Sequence, residues 1–106
     1  MIITEDQIRT EIVDAIEKNR VMLFMKGTPD MPRCGFSAQT AQILHEAGVP
    51  FAAMDILPDP RIRQVLSAHS GWPTIPQLFV DGELVGGCDI VTELYTTGEL
   101  EKVLAG

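Results

Sequence analysis

Apolar positions along this chain follow two rhythms, one helical and one of short unbroken runs. Ile8, Ile12, Val13 and Ile16 recur at helical spacing and predict an amphipathic helix over residues 5–18. Thr4 followed by Gln7 supplies a capping box, and Glu5 and Asp6 occupy the first turn, where acids suit the helix dipole. Asn19-Arg20 breaks the pattern. The run Val21-Met22-Leu23-Phe24-Met25 then reads as a buried strand over 21–26. Ala38 to Ala47 are strong helix formers closed by Gly48 and Pro50, and Phe51 to Ile56 reads as a second strand. Strand, helix, strand is a βαβ unit, so these two strands should be parallel with a right-handed crossover. That crossover places the helix N-terminus at the carboxyl edge of the sheet, where ligands gather in open α/β sheets.

Asp59-Pro60 predicts an N-cap followed by proline at the first helical position. Ile62, Val65, Leu66 and His69 form the apolar side of that helix, and Ser70-Gly71 end it. Two prolines in Trp72-Pro73-Thr74-Ile75-Pro76 impose a stiff, irregular turn, in which a cis Ile75–Pro76 bond can occur. The strand Gln77-Leu78-Phe79-Val80 follows. Asp81-Gly82 before Leu84-Val85 is a two-residue hairpin signal, so the last two strands should be antiparallel and the sheet mixed. Gly86-Gly87-Cys88-Asp89 leads into a helix through Tyr95, with Asp89 as its expected N-cap and the glycines allowing close backbone approach. After Thr97-Gly98-Glu99, Leu100 to Leu104 form a short helical piece. The order αβαβαββα is that of a small mixed-sheet α/β protein, and 106 residues suit one domain, 1–106.

Charge narrows the function. A formal net charge of −7 disfavours nucleic acid or anionic membrane as a partner. No apolar stretch approaches the ~18 residues of a membrane span. The acidic start, Met1 to Asp6, lacks the basic region of a secretory signal and argues against an attached transit peptide. A cytoplasmic setting, or an organelle matrix after processing, is expected. Lys26, Arg33, Arg61 and Arg63 are half of the eight Lys and Arg residues. Ordinary surface charge accounts for Arg61, whereas Lys26 and Arg63 are expected to form a local anion site once folded. His45 and His69 have no spaced partner and are read as surface or cap residues.

The candidate chemistry lies in Lys26-Gly27-Thr28-Pro29-Asp30-Met31-Pro32-Arg33-Cys34-Gly35-Phe36-Ser37. Gly27, Pro29 and Pro32 forbid regular structure, so Cys34 falls between the end of a strand and the start of a helix. Free N–H groups and the dipole there push a sulfur toward thiolate, the nucleophilic and metal-binding form. Lys26 and Arg33 add positive potential. Where a dithiol motif would carry its second cysteine stands Ser37, which cannot close a disulfide. The two cysteines, Cys34 and Cys88, make no disulfide framework and fit a reducing compartment. Nor can two thiols supply four sulfur ligands, so any Cys₄-type iron–sulfur or zinc site needs a second chain, an external thiol, or both.

The run from Lys26 to Ser37, with Arg63, Trp72-Pro73-Thr74-Ile75-Pro76 and Gly86-Gly87-Cys88-Asp89, resembles the monothiol (CGFS-type) glutaredoxins. The resemblance spans roughly residues 4–104. It implies a thioredoxin-like (glutaredoxin) α/β fold, a four-stranded mixed sheet flanked by helices. It also implies a glutathione groove: Lys26 and Arg63 on the glycine carboxylate, Ile75 pairing main chain with the tripeptide's cysteine, and Asp89 with the Cys88 backbone on the γ-glutamyl end. The family further assembles a [2Fe–2S] cluster between two protomers. Each protomer would give Cys34, and each bound glutathione one thiolate. The implied task is to accept a labile cluster from a scaffold and pass it to client apo-proteins, as a homodimer or with a BolA-type partner. Two other readings stay open. One is a glutathione-dependent thiol–disulfide oxidoreductase acting through a Cys34–glutathione mixed disulfide, with Cys88 as a distant resolving thiol or in a structural role. The other is a redox-inert interaction module.

Overall fold

The computed structural model describes residues 3–105, so Met1, Ile2 and Gly106 of the expected 1–106 unit lie outside the described residues. Helix α1 spans Glu5–Lys18, as the periodicity required, and its capping box is formed: Gln7 N–H donates to Thr4 Oγ1 at 3.1 Å and Thr4 N–H to Gln7 Oε1 at 2.8 Å. The remaining elements in order are β1 (Val21–Met25), α2 (Gly35–Glu46), β2 (Ala52–Asp55), α3 (Pro60–Ser70), β3 (Gln77–Val80), β4 (Glu83–Gly86), α4 (Cys88–Thr97) and α5 (Leu100–Ala105). No helix among the described residues is long and apolar enough to cross a membrane.

The sheet order is β2-β1-β3-β4. β1 runs parallel to β2 and antiparallel to β3, while β3 and β4 form the hairpin whose turn holds Asp81 at φ 52° and Gly82 at φ 82°. Positive φ at both central residues is the geometry that suits the twist of a two-residue hairpin. Strand period sorts β1 onto two cores. Val21, Leu23 and Met25 face Ile43 and Leu44 of α2 and Val91 of α4, with Leu100 and Leu104 of α5 closing the edge. Met22 and Phe24 face Ile8, Ile12 and Ile16 of α1 and Val65 and Leu66 of α3. A strand covered on both sides must be apolar throughout, which is why this run does not alternate. Phe24 meets Phe79 edge-on, ring centres 5.7 Å apart at 85°.

Five expectations need correction. β1 ends at Met25, not at residue 26, because the Lys26 N–H leaves the ladder for the Ser37 hydroxyl. β2 is Ala52–Asp55, shorter than 51–56: Ile56 N–H still donates to Met25 O, but Asp55 turns its carboxylate back onto Leu57 N–H and Gly27 N–H and bends the chain away. α2 starts at Gly35 rather than at residue 38: Ala38 N–H already donates to Cys34 O, so Cys34 is itself the N-cap. At α4 the N-cap is Gly87, not Asp89, because Val91 N–H donates to Gly87 O and places Asp89 inside the first turn. His69 is exposed and is no part of the apolar side of α3.

Candidate functional site

All the candidate residues sit at one end of the sheet. β1, β2 and β4 end there and β3 begins there, as their parallel and antiparallel pairings dictate. The loop from Lys26 to Ser37 leaves β1, the 72–76 turn enters β3, and Gly86-Gly87 leaves β4.

The Cys34 loop is closed by its own backbone. Arg33 N–H donates to Lys26 O at 2.9 Å, and Thr28 and Met31 exchange N–H···O bonds at 3.2 and 3.1 Å. Gly27 adopts φ +86°; a Cβ there would lie 2.5 Å from Met31 O and 2.8 Å from Arg33 N, so only glycine fits. Asp55 Oδ1 accepts from Gly27 N–H and Leu57 N–H, both at 2.9 Å, and pins the loop's start to the end of β2.

Cys34 is half-buried at the N-terminus of α2 and is a free thiol. The Ser37 N–H pointing at the sulfur is the main reason its pKa is lowered below the ordinary thiol value; the Phe36 N–H, the Ser37 hydroxyl and the Lys26 ammonium act in the same direction against partial burial. Arg33 is not among the groups that lower it, and its contribution to the loop is its backbone bond to Lys26. Ser37 is fully buried and accepts the Lys26 N–H at 3.0 Å. It therefore does more than stand in place of a second thiol. It ties the end of β1 to the first turn of α2.

Beside this loop lies a groove of about 330 Å³ that brings together Lys26, Arg63, Ile75, Cys88 and Asp89. Exposed Phe36, two residues past Cys34, forms part of the same wall. Lys26 and Arg63 are its cationic members, while Asp89 and the Cys88 backbone stand at the N-terminus of α4. Arg61 is absent from the groove: its guanidinium pairs with Asp59 at 2.7 Å and donates to Ile3 O at 2.7 Å, in accord with an ordinary surface cation. His45 is exposed on α2, outside the groove.

The Ile75–Pro76 bond is cis. Among the described residues, neither the Ile75 N–H nor its C=O has a hydrogen-bond partner, although its side chain is buried. Cys88 is buried, with Sγ 3.8 Å from Thr92 Oγ1. Two residues of the site carried no readable sequence signal. Gln77 reads as the first residue of a strand, yet its buried amide donates to Trp72 O and Thr74 O at 2.9 and 3.1 Å. Asp55 reads as the end of a strand. Trp72 lines the groove with its indole N–H against Gly87, where an added Cβ would stand 3.2 Å from both Trp72 Nε1 and Pro76 O.

Comparison with known proteins agrees with this geometry. The family model described as "Glutaredoxin" matches residues 21–85. A probable monothiol glutaredoxin 2 from Rickettsia typhi is 57% identical over 93 residues, covering 88% of this chain and 84% of its own. The solution structure of reduced poplar apo GrxS14 superposes with a TM-score of 0.81 at 45% identity, covering 92% of this chain and 89% of that one. A buckwheat glutaredoxin–glutathione complex shares the fold alone, at 21% identity and a TM-score of 0.83, over 95% of this chain and 90% of its own. With its thioredoxin-like sheet and a single thiol in the sequence Cys34-Gly35-Phe36-Ser37, the chain belongs to the glutaredoxin family, in its monothiol (CGFS-type) branch.

Proposed function

We propose that this chain binds glutathione in the groove beside Cys34 and carries a [2Fe–2S] cluster held jointly with a second copy. The observation that carries the reading is one groove joining two cations, an unpaired main-chain donor and acceptor and a helix N-terminus, with Lys26 and Phe36 of its wall coming from the loop that carries the thiolate-prone Cys34. A zwitterionic tripeptide needs each of these. Lys26 and Arg63 meet its glycine carboxylate through charge-assisted bonds. Ile75 N–H and C=O add it as a one-residue strand. Asp89 accepts from the α-ammonium of the γ-glutamyl end, and the Cys88 N–H faces its carboxylate. A cavity near 330 Å³ falls in the range that takes small ligands.

The cluster is cargo, and the donor set suits sharing. Among the described residues no group of three or more His, Cys, Asp or Glu side chains converges on one point. Cys88 is buried against Thr92, which leaves Cys34 as the thiol able to reach a second molecule. Two Cys34 sulfurs and two glutathione thiolates complete four ligands in a homodimer. Half of those ligands dissociate on dilution, which favours transfer from a scaffold to client apo-proteins, with a BolA-type protein able to take the place of the second protomer. The setting is a reducing compartment, the cytoplasm or an organelle matrix, where such thiols persist.

Anaerobic reconstitution with iron, sulfide and glutathione tests this. A brown species containing two irons and two tripeptides per pair of chains is expected. Cys34→Ser should abolish the colour, and Cys88→Ser should largely keep it. Colour persisting in Cys34→Ser removes the ligand assignment.

A second reading is favoured by the lowered Cys34 pKa. As an oxidoreductase, the Cys34 thiolate attacks the disulfide of a glutathionylated protein. The protein thiolate leaves and takes up a proton, and a Cys34–glutathione disulfide remains. A second glutathione thiolate then attacks that bond, regenerating Cys34 and releasing glutathione disulfide. Turnover of a glutathionylated substrate at rates typical of dithiol relatives would favour this reading over the carrier.

A further inference from the structure

We propose that Gln77 is a positioning residue for glutathione: its buried amide holds the 72–76 turn so that Ile75 offers a free N–H and C=O to the groove. The inference rests on the glutathione reading above.

Gln77 opens β3 and is fully buried, followed by the apolar residues Leu78, Phe79 and Val80. Its Nε2 donates both hydrogens, to Trp72 O at 2.9 Å and to Thr74 O at 3.1 Å, while Oε1 has no partner. A buried amide with its oxygen unpaired is costly, and a leucine or methionine of similar size would fill the same space without that cost. The amide's worth must lie in the two carbonyls it holds.

The turn has few other supports. Pro73 and Pro76 lack an N–H, and no backbone–backbone hydrogen bond among the described residues involves residues 72–76. Trp72 N–H donates to Ser70 Oγ at 3.1 Å, before the turn, and exposed Arg63 Nη2 donates to Pro73 O at 3.3 Å. Arg63 is also a groove cation, so a ligand carboxylate competes for that guanidinium. Gln77 is the hold that stays in place when the groove fills. By gripping the carbonyls of Trp72 and Thr74 it leaves those of Ile75 and its N–H outside the clamp, facing the ligand's cysteine.

The experiment uses the full chain, reduced, and two non-reacting probes measured by titration calorimetry: S-methylglutathione, and γ-glutamyl-S-methylcysteine, which lacks the glycine. Both retain the cysteine that Ile75 pairs with. In Gln77→Leu the Kd of both probes should rise by the same factor, about five- to twentyfold for the loss of two well-made main-chain bonds. Alkylation of Cys34 by iodoacetamide should keep its rate, because Gln77 touches no group around the sulfur. A purely structural role would lower the melting temperature and leave both Kd values unchanged, which overturns the proposal. Weakening confined to the tripeptide, or a parallel change in alkylation rate, overturns it as well. Should Gln77→Leu fail to fold, Gln77→Asn keeps the amide on a stem one methylene shorter, out of reach of both carbonyls, and carries the same expectation and refutation. If the unsubstituted protein binds neither probe, the glutathione reading itself falls, and this inference with it.

Discussion

Replacing Ser37 by alanine removes one oxygen from the chain and should produce two separable effects. The hydroxyl is fully buried and accepts the Lys26 N–H at 3.0 Å, at the point where β1 gives way to the Cys34 loop. Alanine leaves that amide without an acceptor in a partly buried position, a loss of about 1–2 kcal/mol. For a chain of 106 residues this corresponds to a fall in Tm of roughly 4–8 °C. The second effect falls on Cys34. The Ser37 main-chain N–H, its largest stabilising donor, survives in the variant, whereas the hydroxyl that also favours the thiolate is gone. The midpoint of the alkylation rate against pH should therefore move up toward the ordinary thiol value, without reaching it. Thermal melting and iodoacetamide alkylation across pH, both on the reduced protein, measure the two effects. A variant that melts lower with an unmoved alkylation midpoint would reduce the hydroxyl to a strut. One that matches the unsubstituted protein in both would refute the account of this loop.

Three further outcomes follow from the same structure. Gly27→Ala places a Cβ 2.5 Å from Met31 O at φ +86°, so urea denaturation should show a loss of more than about 2 kcal/mol; a smaller loss means the loop can open cheaply. Leu66→Ala, at a fully buried position of α3 in the core it shares with α1, should cost about 2–5 kcal/mol while leaving Cys34 alkylation unchanged, since that core lies on the opposite face of the sheet from α2. Cys34 itself links stability to pH. Its folded pKa is depressed, so its stabilising contribution is full above the ordinary thiol range, shrinks as pH falls toward the folded pKa, and is gone below it. The stability difference between the unsubstituted protein and Cys34→Ser should thus grow with rising pH, and a pH-independent difference contradicts the ionisation assigned to this sulfur.

Local rules wrote much of this fold legibly. The capping box at Thr4, the Asp59-Pro60 start of α3 and the Asp81-Gly82 hairpin each follow from contacts within a few residues, and each is present as the pattern requires. The misplaced bounds have two causes, a partner remote in sequence and a neighbouring residue that caps first. Ser37, remote in sequence, takes the Lys26 N–H and shortens β1, and the pair of glycines before α4 supplies an extended cap that moves Asp89 into the helix. Gln77 and Asp55 were illegible. A buried glutamine and a strand-end aspartate carry no periodic or motif signal, and their value appears only when the carbonyls and amides they reach are known.

Strand direction explains why residues as distant as Lys26 and Asp89 share one groove. In a sheet of parallel strands only, the segment before β3 would lie at the end opposite the Cys34 loop. Because β3 runs antiparallel to β1, its entry turn arrives beside the exit of β1; because β4 reverses again, its exit and the start of α4 arrive there too. The hairpin at Asp81-Gly82 is thus as necessary to the groove as any residue lining it. Its two-residue length sets the register Val80↔Glu83, the bulge at Leu78/Phe79 shifts it, and together they bring Gly86 opposite Leu78 and Gly87 against Trp72 and Pro76. The physical demand on position 87 comes from this convergence: two chain segments distant in sequence close to within 3.2 Å of where a side chain would begin, and glycine leaves that space open.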